Sequence, residues 1–533
     1  MITNSNNTGK GYISRETDPV SFKYFIPLGL SFLLLVVLNI IAGQNWIDSD
    51  MSAEMVFSDL LSDTGHLFAS PDWYYSTEFR ILYTQILFVP LLKIIGSWSI
   101  VRIITNIVFY IILVLSYMFM MKGYEAKYVL LTSSVLLLPV SEAIAQHVQF
   151  GNTYMSHMIL MFLAIGFVRR LDSPRINLTG KVLLWIPFSA LCFICGASGV
   201  RYFLIIFAPL LLSGIWRTYD MYGIQDGALK EWLAGLSLFK ISFGASLIAL
   251  AGYAVNTLII RSNYVFTTYE SLSFVPINNG IWFERVASVT GCLLEVFGYI
   301  PGGSVLSLRG IVTLCAFVMI FLMFYMVRRT YKDASAGSGL LGGDDIFSES
   351  DPEDLFFLHM FISGFAVMSF FLLFTDTTLT PRYFSTCIYM SLPVLVIWLS
   401  RENERALRMV YVTALAFCLV LSTLKISYSM IKTDKNEARK EVVDYLEYNG
   451  LYKGYSFYDD SNILVELSDG KLEVGAVNKD DFSFFLWSTP GRFYTEGGAP
   501  GYFLLVPEGT AVPDTLNLRS FDNVAGYDVY VFE

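Results

Sequence analysis

Apolar runs recur along this chain at the length a lipid bilayer sets. Stretches near 24–42, 98–121, 127–141, 154–168, 182–198, 201–216, 238–260, 309–327, 355–374, 383–400 and 407–428 predict spanning helices, because roughly 17–25 apolar residues cross a hydrocarbon core. One apolar segment breaks the pattern. Phe79–Ile95 carries Arg80, Thr84, Gln85, Pro90 and Lys93, and it reads as a juxtamembrane or half-inserted helix with one polar edge at the interface. Read instead as a spanning helix, it would flip every later loop.

The polar stretches between the runs then fix an orientation. Lys10, Arg15 and Lys23 place the N-terminus in the cytoplasm, because basic residues are retained there. Lys122/Lys127, Arg169/Arg170/Arg175/Lys181, Arg217/Lys230, Arg328/Arg329/Lys332 and Arg401/Arg405/Arg408 all fall on that same side if Phe79–Ile95 does not cross. The opposite face receives a long loop at 43–97, a shorter one at Ser141–Thr153, the turn Gly196–Val200, the segment Arg261–Leu308, the loop Thr375–Arg382 and the C-terminus. The acidic, Gly/Ser-rich stretch 333–353 reads as a flexible cytoplasmic linker.

Past about Thr433 the periodicity changes. Asn436–Tyr448 has helical spacing and stops at Gly450; Tyr455–Tyr458, Leu472–Val477, Tyr502–Val506 and Tyr527–Phe532 read as strands, and Ser461 as the N-cap of a helix Asn462–Leu467. The expected organisation is a transmembrane domain over 1–432, with 43–97 as its main outer loop, followed by a small extracytoplasmic α/β domain over 433–533.

Composition narrows the class further. Of 533 residues 54% are apolar and 15% charged, against about 25% charged in soluble chains. A net charge of −10 with no basic stripe argues against nucleic acid. The N-terminal apolar run lacks a small-residue cleavage site and reads as an uncleaved anchor. The six cysteines lie in apolar stretches, so even Cys192 and Cys195, spaced as CxxC, read as packing residues. A bacterial plasma membrane fits these features.

Candidate chemistry gathers on the outer face. Asp48-Ser49-Asp50 follows the first span, with Glu54 one turn on along an expected helix Ser52–Leu61, and Asp59, Asp63, Asp72 and Glu78 lie in the same loop. A second group is Glu142, Gln146, His147 and Asn152; a third is Arg201 beside Gly199; a fourth is Thr380-Pro381-Arg382-Tyr383. An Asp can take a proton from a hydroxyl, and Arg can grip a phosphate through two hydrogen bonds. Each group also has a plainer reading: Glu142 and His147 as helix-end residues, Arg201 and Arg382 as headgroup anchors, and Trp73, Tyr74, Tyr75 and Tyr383 as an aromatic belt.

These stretches together resemble the GT-C-type membrane glycosyltransferases. Those proteins share an anchor helix, an outer loop with a D-x-D-like motif, juxtamembrane helices, a second polar outer loop and an Arg-Tyr at the mouth of a late helix. The matching residues are Asp48-Ser49-Asp50, Glu78–Ile95, Ser141–Asn152 and Arg382-Tyr383. The resemblance implies a polytopic α-helical fold and inverting transfer of a hexose or pentose from a polyprenyl-phosphate donor. The acceptor would be an extracytoplasmic cell-wall polymer, lipid or protein. It makes Asp48 or Asp50 the general base and Arg201 and Arg382 phosphate ligands, with Glu54, Glu78, Glu142, His147, Asn152 and Tyr383 around the substrates. Glu142 or His147 stands where many relatives carry a second-loop Asp. Some relatives use a divalent cation, for which Asp48 and Asp50 would be the Mg²⁺ or Mn²⁺ ligands. A lipid-linked glycan transporter and a non-catalytic envelope scaffold are the alternatives. Charges at helix mouths and the absence of internal repeats weigh against the transporter.

Overall fold

The computed structural model describes residues 21–151, 153–222, 237–267, 273–277, 280–302, 304–336, 352–495 and 499–533. The protein is a multi-pass helical membrane protein. Among the described residues, eight helices are long and apolar enough to cross a bilayer, within Phe22–Ala42, Trp98–Met120, Leu178–Ser198, Ser237–Asn263, Leu308–Asp333, Asp354–Phe374, Pro381–Arg401 and Arg405–Tyr448.

The other three expected spans are helical but depart from the simple pattern. Ala126–Leu136 stops short, because Pro139 disfavours helical backbone just before it. Met155–Asp172 is one arm of a pair bent by 77° against Glu142–Phe150. Phe203–Tyr219 begins with a π-helical turn and falls below spanning length. The interrupted segment forms only the helix Gln85–Leu92, with Pro90 inside it. Eight residues at 1.5 Å each give about 12 Å, too short to cross. Most of the expected linker, 337–351, lies outside the described residues; its first residues end one helix and its last begin another.

The C-terminal part contains a five-stranded sheet in the order β3-β2-β5-β7-β6, built from β2 (Lys453–Phe457), β3 (Glu473–Val477), β5 (Phe503–Pro507), β6 (Leu518–Val524) and β7 (Tyr527–Phe532). β2 runs parallel to β3 and β5, whereas β7 is antiparallel to β5 and β6. β6 was not expected. Arg519, Asp522 and Asn523 break its alternation, and it carries a register shift at Ser520/Asp522, as edge strands do. The second helix runs Tyr458–Leu467, so Ser461 is buried inside it and does not cap it.

This unit does not stand apart from the rest. The helix Ser49–Thr64 buries Val56, Leu60 and Leu61 in one cluster with Val442, Leu446, Leu464, Leu472 and Phe503. A short pair, β1 (Trp73–Tyr74) with β4 (Thr489–Pro490), joins the first loop to the C-terminal segment. Trp73 and Tyr75 therefore do not form an interfacial belt. They are buried, and Tyr75 packs against Phe57, Phe79, Tyr264 and Phe266, the arrangement that returns most from large aromatic surfaces.

Candidate active site

The two aspartates are set by the start of one helix. The Trp46 indole donates to the Met430 and Thr433 carbonyls, and the Asn436 amide donates to those of Gln44 and Ile47, which fixes the approach to Asp48. Asp48 caps the helix Ser49–Thr64, its Oδ1 accepting the Met51 N–H at 2.9 Å, a capping bond worth about 1 kcal/mol. Asp50 lies in the first turn, where the helix dipole favours negative charge. The helix begins three residues earlier than its apolar periodicity suggested, because the cap and not the periodicity marks its start. Gly151 lets the second loop press on it: a Cβ there would meet Met51 Cγ at 2.6 Å.

A fully buried clamp holds this turn from the far side. Arg102 Nε and Nη2 donate to Glu466 Oε1 and Oε2 at 2.6 and 2.7 Å, and Nη2 also donates to the Met51 carbonyl at 3.0 Å. Three parts of the chain thus meet at Met51: a spanning helix, the first loop and the C-terminal helix.

Around the aspartates, charges alternate in two linked rows. In one, Asp48 Oδ2 accepts the Gln146 amide at 3.3 Å and lies 3.6 Å from His147 Nδ1, which is 3.3 Å from Arg382 Nη1. Arginine only donates, so His147 Nδ1 accepts and the imidazole is neutral, with its proton on Nε2. Arg382 also donates to Asp50 Oδ2 through Nη1 at 3.4 Å and Nη2 at 3.3 Å, and the Tyr458 hydroxyl donates to Asp50 Oδ1 at 3.1 Å. In the second row, Arg80 bridges Glu54 and Glu78, and Arg201 Nε meets Glu78 Oε1 at 2.9 Å while its Nη1 donates to the Tyr154 hydroxyl at 3.1 Å. Gly199, at a φ of +137°, turns the chain from one helix into Arg201, a conformation reserved for glycine.

The carboxyls respond differently to these surroundings. Burial, then the neighbouring Asp50, lifts Asp48 from 3.8 to about 6, against the pull of the Met51 N–H, Arg382 and Arg102. Burial acts upward on Asp50 too, but Arg382, Arg80 and the Tyr458 hydroxyl outweigh it and hold the carboxyl below its ordinary value. Although protein rings it, the Asp50 side chain keeps 44% of its surface open, against 29% for Asp48. Burial raises Glu54 despite Arg80, whereas Arg201 and Arg80 overcome burial at Glu78 and lower it. One pair of neighbouring acids is thereby divided into an ionised, accessible member and a more proton-retentive, capped one.

Asp50 opens into a cavity of about 400 Å³. Glu54, Glu78, Arg201, Arg382 and Tyr383 line it. Asp48 and His147 stand behind this lining, touching it through Arg382 and the helix start. Glu142 lies away from it, its side chain 52% exposed and 3.8 Å from Lys435, and Asn152 is outside the described residues. Sequence reasoning missed Arg80, Tyr154 and the contribution of the C-terminal part: Tyr458, Phe485, Trp487 and Ser488. In the sequence Arg80 reads only as an interruption of an apolar run; its place two residues after Glu78 is the signal that sets it beside the acids.

Among the described residues no three His, Cys, Asp or Glu side chains gather as a metal site. Asp48 faces N–H donors, and the Arg382 guanidinium lies between Asp50 and His147.

No protein-family description matches the chain, and no curated protein matches it in sequence. In three dimensions it is similar to ArnT from Cupriavidus metallidurans bound to undecaprenyl phosphate, at a TM-score of 0.55 and 10% identity, over 95% of this chain and 97% of that one. ArnT from the same organism in the apo state matches over the same shares, at a TM-score of 0.45 and 11% identity. The first likeness establishes the fold: this chain has the GT-C-type membrane fold that its motifs resemble.

Proposed function

We propose that this cavity transfers a sugar from a polyprenyl-phosphate carrier to the hydroxyl of an extracytoplasmic acceptor, with Asp50 as general base. One observation carries the reading: an ionised, accessible carboxylate and two arginines, Arg201 and Arg382, line one cavity. The fold likeness to a protein crystallised with undecaprenyl phosphate supports the class of donor.

In this reading Asp50 takes the proton of the acceptor hydroxyl as its oxygen bonds to the anomeric carbon. The bond from that carbon to the phosphate oxygen breaks, and polyprenyl phosphate leaves with one more negative charge. Arg201 and Arg382, whose guanidinium groups lie 5.4 and 5.9 Å from the Tyr154 ring, are placed to meet that charge as it develops. Direct displacement inverts the anomeric centre. Asp48 acts by ordering the helix start, since it caps that helix through the Met51 N–H and stands outside the cavity lining that Asp50 enters. The positive-inside pattern supports an outward-facing cavity and an extracytoplasmic C-terminal domain.

The test uses purified protein, a radiolabelled polyprenyl-phosphate hexose and cell-envelope extract. Asp50→Asn is expected to lower transfer by about 10²–10⁴-fold, the usual contribution of a general base, with folding retained. Asp48→Asn, which keeps a cap, is expected to lose much less. Unchanged transfer by Asp50→Asn overturns the assignment; no transfer by the wild type with any donor overturns the reaction.

A further inference from the structure

From Asp50 the cavity continues along a row of three rings. The Tyr458 hydroxyl touches the carboxylate at 3.1 Å, the Phe485 ring lies 5.5 Å from that of Tyr458, and Trp487 lies 6.4 Å from Phe485. All three line the cavity. Phe457 and Phe482 close by are buried in their own core, whereas Phe485 and Trp487 stay half-buried.

The loop that presents them is held from several directions. The Phe485 N–H donates to the Ala476 carbonyl at 2.9 Å, and the Leu486 carbonyl accepts from Thr267 Oγ1 at 2.8 Å. The Ser488 N–H donates to the Tyr74 carbonyl at 2.8 Å, and its carbonyl accepts from Asn462 Nδ2 at 3.0 Å. Ser488 itself sits at a φ of +47°, a conformation that costs about 1–3 kcal/mol in a non-glycine residue and persists where surrounding contacts impose it. Such strain clusters at active sites and ligand clamps.

Resting on the transferase reading above, we infer that the Tyr458–Phe485–Trp487 row is an acceptor subsite that takes the ring face of a carbohydrate. A pyranose offers an apolar C–H face and a rim of hydroxyls, and this wall offers flat rings beside a carboxylate. An acyl chain laid here would press apolar carbon against Asp50, at a cost to a charged group that needs solvation or partners. A sugar ring on Phe485 lies one aromatic ring from the base, so the wall both holds the acceptor and directs a hydroxyl inward. The C-terminal domain thereby selects what is glycosylated.

The experiment uses the full chain in lipid nanodiscs, with cellobiose, lactose and N,N′-diacetylchitobiose as probes in saturation-transfer NMR. Wild type is expected to bind at least one. Phe485→Leu and Trp487→Leu, which keep apolar bulk and so the fold, weaken binding about tenfold, and Trp487→Phe restores it. In the transfer assay the two Leu variants raise the acceptor KM by a similar factor. Wild type binding none of the probes, or both Leu variants binding as wild type does, overturns the subsite. Transfer by the wild type with an unchanged acceptor KM in both Leu variants removes the subsite alone. Saccharide binding as expected with no transfer from any donor supports the subsite as a carbohydrate wall and removes the transferase reading.

Discussion

Replacing Glu466 by Gln tests whether the C-terminal domain holds the aspartate helix in place. Arg102 and Glu466 are 3% and 2% exposed and share two hydrogen bonds at 2.6 and 2.7 Å. Removing one charge leaves the other buried without compensation, which costs about 3–5 kcal/mol. Replacing both by apolar residues of similar size removes that penalty, so Arg102→Met with Glu466→Met is expected to recover most of the loss. The assay is thermal and denaturant unfolding, in one detergent, of Glu466→Gln and of the wild type, Arg102→Met, Glu466→Met and the double variant, the last four read as a double-mutant cycle. Because Arg102 also holds the Met51 carbonyl at 3.0 Å, the double variant should regain stability without regaining full transfer. Glu466→Gln within about 1 kcal/mol of the wild type, or a double variant no more stable than the single one, refutes the clamp.

Three further outcomes follow from the site. Tyr458→Phe removes a donor that holds Asp50 below its ordinary value, so the base stays protonated to higher pH and the acid limb of kcat/KM moves upward; an unmoved limb would show that the hydroxyl does not act on the base. Asp48 is lifted from 3.8 unfolded to about 6 folded, so the folded state holds that proton more tightly and this stabilisation is lost as pH rises from about 4 to 6. The unfolding midpoint of Asp48→Asn should accordingly change less than that of wild type between those pH values, and equal slopes would discount the shift. Treatment with EDTA is expected to leave transfer intact if the Arg382 guanidinium, which donates twice to Asp50, supplies the positive charge there; a loss reversed by Mg²⁺ or Mn²⁺ would refute this.

Much of the fold was legible because bilayer length is a one-dimensional constraint. All eleven apolar runs are helical, and the interrupted segment at Phe79–Ile95 forms only the short helix Gln85–Leu92. What escaped was set by contacts across the sequence. Trp73 and Tyr75 read as belt residues until Phe57, Tyr264 and Phe266 close over them. The cavity lining was half legible: Asp50, Glu54, Glu78, Arg201 and Arg382 were marked by their charge on the outer face. Tyr458 and Trp487 were not, because nothing local distinguishes a ring facing a cavity from one in a core. Glu142 stood in the right loop, but the turn at Ser141 directs it toward Lys435.

The contacts that finish the site span almost the whole polypeptide. Asp50 is separated from Arg382 by 332 residues and from Tyr458 by 408, and Arg102 from Glu466 by 364. During synthesis the first loop emerges long before its partners, so the nascent chain carries a pair of aspartates and no enclosed cavity. Long-range closure of this kind is slow and comes late in folding. A chain interrupted before the final hundred or so residues would insert into the membrane yet bring no Tyr458 to Asp50. The site therefore exists only once the last segment of the chain has met the first loop.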